Sequence, residues 1–119
     1  MAIDRRLIDQ MRSDVGDAAF LRLAGLFEEE TRASVIALRR LFDAQDWREL
    51  GRQAHSLKHA CASFGLTDLA EAAATIETAG DAASSEGVER NLVALEAEMG
   101  GALEAFAAIC RSVNGGQAR

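Results

Sequence analysis

The chain has 119 residues, no proline and no tyrosine, and it is rich in Ala, Leu, Glu and Arg. That length suits one domain with a helical core that needs neither disulfides nor metal, and the composition argues against a β-sandwich or barrel. A formal net charge of −6 disfavours nucleic acid or an anionic membrane surface as the main partner, while leaving room for a local basic patch.

The MAIDRRL start lacks the apolar stretch of a signal peptide, and no apolar run approaches membrane-spanning length, so a cytoplasmic location is expected. Residues 4 to 14 form a short amphipathic segment with Ile3, Leu7, Ile8, Met11 and Val15 on one side, expected to cover the open end of a bundle. Gly16-Asp17 breaks it, and Asp17 can cap the next helix. From there to about Asp43, the positions Phe20, Ala24, Phe27, Val35, Leu38, Leu41 and Phe42 follow helical spacing. The run Glu28, Glu29 and Glu30 reads as a solvated face.

The central segment runs from Asp46 to Leu66 and opens on a capping-box pattern, Asp46 with Glu49. Trp47 in its first turn is expected to be core at the bundle end. Leu50, Ala54, Leu57, Cys61 and Phe64 alternate spacings of four and three, the seam of a helix packed on other helices. On that wheel His55 points roughly 140° from the seam, toward water. Gly51 and Ala62 are small neighbours that leave the ring standing clear, and Lys58 lies one turn on. Gly65 suits a left-handed helix stop, and Thr67 then caps a helix reaching about Thr78 with Leu69, Ala73 and Ile76 inward.

Residues 80 to 87, GDAASSEG, read as a loop, with serines able to cap the final helix. That helix carries Val88, Leu92, Leu95, Met99, Phe106, Ile109 and Val113 as a long seam. Gly100 and Gly101 inside it imply either close approach of a neighbouring helix or a bend. Cys61 and Cys110 both fall on core seams, where reduced cysteine acts as an apolar filler. Residues 1–113 are expected to be one domain and 114–119 a disordered tail. The fold class is all-α, an antiparallel four-helix bundle with a short N-terminal covering helix.

The string AHSLKHACASFGL, followed by AEAAATIE, resembles the signature of histidine-containing phosphotransfer (HPt) domains. That family carries an Ala-His-x-Leu-Lys-Gly core, small residues, a Gly ten positions past the histidine, and then a Leu- and Glu-bearing helix. The matching positions are Ala54, His55, Leu57, Lys58, Gly65, Leu69 and Glu77, about a quarter of the chain by span. The resemblance implies a phosphoryl carrier in a His–Asp relay, not a kinase, with His55 as the phosphorylated residue. The partners it implies are response-regulator receiver domains and a hybrid or sensor histidine kinase, with the aspartate and Mg²⁺ supplied by the receiver. It makes Lys58 the electrostatic partner of the phosphoryl group and Glu77 a residue that hydrogen-bonds the ring or its phosphate.

Gly51, Arg52, His59 and Ala62 complete the expected partner-facing patch. His59 departs from the family, which usually has Gly four residues after the histidine. Tolerated bulk, narrowed partner choice and a second positive group all fit; we favour tolerated bulk, with the ring swinging aside. His55 and His59 lack the third ligand that zinc requires, so no metal site and no resident cofactor are expected. Three alternatives bear on function: a helical scaffold that never carries phosphate, an HPt module excised from a chemotaxis-type kinase, and a histidine-kinase dimerisation domain. The last usually follows its histidine with Glu and a later Pro, whereas here Ser56 follows and proline is absent. A monomer is expected.

Overall fold

A computed structural model describes residues 3–117, with nothing stated of the side chains of 116 and 117. It is all-helical, and its elements are α1 (Arg5–Val15), α2 (Asp17–Asp43), α3 (Trp47–Ser63), α4 (Thr67–Asp81) and α5 (Ser85–Gln117). Contacts close a ring: α2 packs on α3 and α5, and α4 packs on the same two. The principal extents are 51 × 23 × 20 Å, a rod set by the 33 residues of α5.

The seam residues read from periodicity form the core. Leu50, Ala54, Leu57 and Cys61 of α3 are buried with Leu69, Ala73 and Ile76 of α4 and Val88, Leu92, Leu95 and Phe106 of α5. Removing such side chains from water is worth about 1.5–3 kcal/mol each for the larger ones. Four phenylalanines fill one end: Phe27 stacks on Phe64 at 4.4 Å, and Phe106 meets both rings edge-on. Trp47 is half-buried and meets Phe42 edge-on at 6.0 Å, at the rim of the core.

The ends of the helices differ from the sequence reading in five places. Asp17 does not cap α2; Gly16, at φ +86°, occupies the cap, and the Asp17 carboxylate instead accepts from Arg12 Nε at 2.9 Å. Asp46 caps α3 by accepting from the Glu49 N–H at 3.3 Å, but the Glu49 carboxylate turns away to Arg52 at 3.0 Å, so the box is half made. Helix α4 begins at Thr67 itself, with Leu66 at the cap, and runs on to Asp81. The expected loop over residues 80–87 shrinks to the link between Asp81 and Ser85. Helix α5 continues past Val113 to Gln117, whereas a disordered tail was expected from 114; Ala118 and Arg119 lie outside the described residues. Continued backbone hydrogen bonding at the end of a long helix costs little even for polar residues.

Glycine explains why α4 outruns its sequence signal. A Cβ on Gly80 would come within 2.8 Å of Leu50 Cδ2, so its absence lets α4 lie close on α3. Gly65 holds φ +79° between α3 and α4, and a Cβ there would meet the Asp4 carbonyl oxygen at 2.5 Å. The Asp4 N–H donates to the Gly65 carbonyl at 2.7 Å, so the start of α1 is pinned at that corner. Ile8 of α1 is buried, but Leu7 and Val15, expected inward, are 41% and 44% exposed because α1 is a single helix lying along α2. Gly100 faces open space, which removes close helix approach as the reason for it.

Candidate functional site

The close packing of α3 on α4 puts three side chains in register. His55 projects from α3 with its side chain 52% exposed, as its wheel position requires. From α4, Glu77 sits beside Ile76 at the edge of the core, and its carboxylate reaches back to α3 with both oxygens. One oxygen lies 2.8 Å from His55 Nδ1, and the other accepts from Lys58 Nζ at 2.8 Å.

This arrangement fixes the chemistry of the ring. The Glu77 carboxyl is held below its ordinary range, first by the hydrogen bond from Lys58 and further by His55, against the opposing effect of burial. It is therefore an anion near neutral pH and can only accept, so Nδ1 of His55 carries the proton. In the neutral imidazole the lone pair then resides on Nε2, the outward nitrogen. Lys58, expected to face an incoming phosphoryl group directly, is paired with Glu77 in this state.

His59 does not stand clear. Its Nε2 lies 3.0 Å from His55 Nε2, with ring centroids 4.4 Å apart and planes at 71°. Two nitrogens at that distance need one proton between them; when His55 is the neutral Nδ1–H tautomer, that proton comes from His59. Gly51, expected on the partner-facing surface, is buried: the Asp81 carboxylate crosses over it, 3.0 Å from where a Cβ would stand. Arg52 is exposed and paired with Glu49, and Ala62 is exposed.

Two residues that the sequence reading passed over belong here. Arg48 and Asp81 line a recess of about 410 Å³ beside the ring, with Gly51, Arg52, His55, Ser56 and Glu77. Arg48 lies two turns before His55 and was findable from that spacing; Asp81 was hidden by assigning it to a loop. Among the described residues no three His, Cys, Asp or Glu side chains gather to hold a metal ion. Cys61 is buried and its thiol is pushed up to about 12 by that burial, so it is an inert filler and no second nucleophile.

The structure is thus a helical rod carrying an accessible histidine on one helix, with a carboxylate from the next helix against its Nδ1. The Hpt domain family matches residues 22–108, and the chain belongs to that family. Its members are histidine phosphotransfer carriers of two-component signalling that interact with receiver domains and histidine kinases. Two solved structures share the fold. Histidine-containing phosphotransfer protein B (HptB) from Pseudomonas aeruginosa PAO1 is 18% identical, with a TM-score of 0.86 over 92% of this chain and 95% of that one. A putative histidine-containing phosphotransfer protein from rice is 13% identical, with a TM-score of 0.74 over 94% and 84%. No curated protein gives a significant match. No helix among the described residues is long and apolar enough to cross a membrane.

Proposed function

We propose that this chain relays phosphoryl groups between receiver domains, taking one onto His55 from a receiver aspartate, in a hybrid kinase or alone, and passing it to a response regulator. The observation that carries this is the 2.8 Å contact from Nδ1 to Glu77, which leaves Nε2 as the reactive nitrogen on an exposed ring.

In the forward step the Nε2 lone pair attacks phosphorus, and the bond from phosphorus to the aspartyl oxygen breaks. The electron pair of that bond returns to the partner's carboxylate. The transfer is largely dissociative, so positioning and charge compensation do most of the work. Glu77 holds the ring in one orientation and balances the positive charge that the phosphorylated imidazole gains while Nδ1 keeps its proton. Lys58, beside the same carboxylate, is the cation within reach of the transferred group. The receiver brings its aspartate and Mg²⁺, and the recess beside His55 presents Arg48 and Arg52 together with the carboxylates of Glu77 and Asp81.

The closed ring of helix contacts and the short links support an antiparallel four-helix bundle of α2–α5 with α1 as a cover. The protein works as a cytoplasmic monomer on this reading, with no cofactor of its own. Incubation with a phosphorylated receiver should leave acid-labile, alkali-stable phosphate on the wild type and none on His55→Gln. Absence of label with every receiver of the source organism would leave only a helical scaffold.

A further inference from the structure

We infer that His59 holds the acceptor nitrogen of the resting carrier in a hydrogen bond that an incoming phosphoryl group must displace, making His59 a positioning residue that sets how readily His55 accepts. This rests on the carrier reading and adds a residue to it. The tautomer argument leaves His55 Nε2 with a lone pair, and that lone pair is where His59 Nε2 sits, at 3.0 Å. The same lone pair must form the bond to phosphorus.

Sequence spacing makes the contact durable. His59 is four residues after His55 on one continuous helix, so the two side chains lie on the same face with their rings edge-on. Both rings are exposed, which allows His59 to turn away into water when a donor arrives. Nothing else among the described contacts engages the His59 ring, so its recorded polar partner is the acceptor nitrogen itself. Of the charged groups near the pair, Glu77 and Lys58 are bonded to each other, with Glu77 on the far nitrogen of His55, and Arg52 is paired with Glu49.

The transfer step keeps its balance. His59 Nε2–H leaves the lone pair with its proton, His55 Nε2 bonds to phosphorus, and the donor's leaving group departs with the electron pair of the broken bond. Breaking a neutral hydrogen bond of this kind corresponds to roughly a two- to tenfold change in rate.

The test uses phosphoramidate, a small nitrogen–phosphorus donor, so that no receiver has to be identified. Label on His55 is followed by ³¹P NMR in the wild type, His59→Ala and His59→Leu, and the ¹⁵N shift of His55 Nε2 is recorded in each. Both variants are expected to label about two- to tenfold faster than the wild type, with the Nε2 resonance moving toward that of a lone pair exposed to water. The leucine variant separates hydrogen bonding from bulk. If it labels as slowly as the wild type, steric cover is the cause and the inference is overturned. Label appearing at equal rates with an unmoved resonance overturns it as well, while leaving the carrier reading intact. No label on any variant sinks the carrier reading and this inference with it.

Discussion

His55 Nδ1 and Glu77 Oε2 lie 2.8 Å apart although 22 positions and a helical turn-around separate them in the chain. That contact couples a core feature, the close lie of α4 on α3, to the electronic state of a surface ring. Two glycines keep the helices at this spacing. The site is therefore a product of packing as much as of its own residues.

Glu77→Gln keeps the shape and removes the charge. The amide can still accept from Nδ1–H but no longer balances a positive ring or holds Lys58. Phosphoryl acceptance at His55 should fall about ten- to hundredfold, the worth of a hydrogen bond to a charged group, with a mixed tautomer population visible in ¹⁵N NMR of the ring. Unchanged rate and a pure Nδ1–H tautomer would remove Glu77 from the site.

Acid should weaken the α3–α4 pair in a definite window. The folded carboxyl of Glu77 titrates below its ordinary value of 4.5, chiefly because of Lys58. A lowered folded pKa contributes stability that is present above the unfolded value and is lost as pH falls through the folded one. Thermal midpoints of the wild type should therefore drop on going below about pH 4.5 by more than those of Lys58→Met, measured by circular dichroism. Parallel pH curves for the two proteins would show that the pair adds nothing to the fold.

Glycine substitutions should split by position. Gly65→Ala places a side chain at φ +79° against the Asp4 carbonyl, so a loss of about 2–4 kcal/mol in denaturant unfolding is expected. Gly100→Ala adds a methyl group in open space within a helix, and should gain about 0.5–1 kcal/mol. The reverse order of the two would contradict the packing described for both.

Arg39 offers a control for stability without chemistry. Its guanidinium donates to Glu96 at 3.0 and 2.6 Å and to Glu89 at 2.8 Å, tying α2 to α5 at a partly buried position. Arg39→Ala should cost about 1–2 kcal/mol in unfolding free energy and leave phosphoryl acceptance at His55 unaltered. A slower acceptance would mean that the α2–α5 contact reaches the site.

What could be read from the chain alone follows from which signals are periodic. The seam Leu50, Ala54, Leu57, Cys61 and the outward placement of His55 are statements about angle on one helix, and the structure keeps them. The pairing with Glu77 was indicated by the family resemblance and only faintly by the edge position next to Ile76. Contacts between helices left no comparable trace. Gly80 was assigned to a loop because glycine usually punctuates, whereas here it serves a close approach. Arg39, Glu89 and Glu96 look like ordinary solvated charges until α2 and α5 are side by side. His59 was read as bulk able to swing aside, since spacing gives direction but not which nitrogen meets which.

The elongation set by α5 has a hydrodynamic consequence. A rod of 51 Å by about 20 Å tumbles anisotropically and presents a larger Stokes radius than a sphere of equal mass. On a gel-filtration column calibrated with round standards, a single copy would therefore elute somewhat ahead of its true mass. Scattered-light mass, which is indifferent to shape, is the quantity by which its stoichiometry with a receiver should be counted.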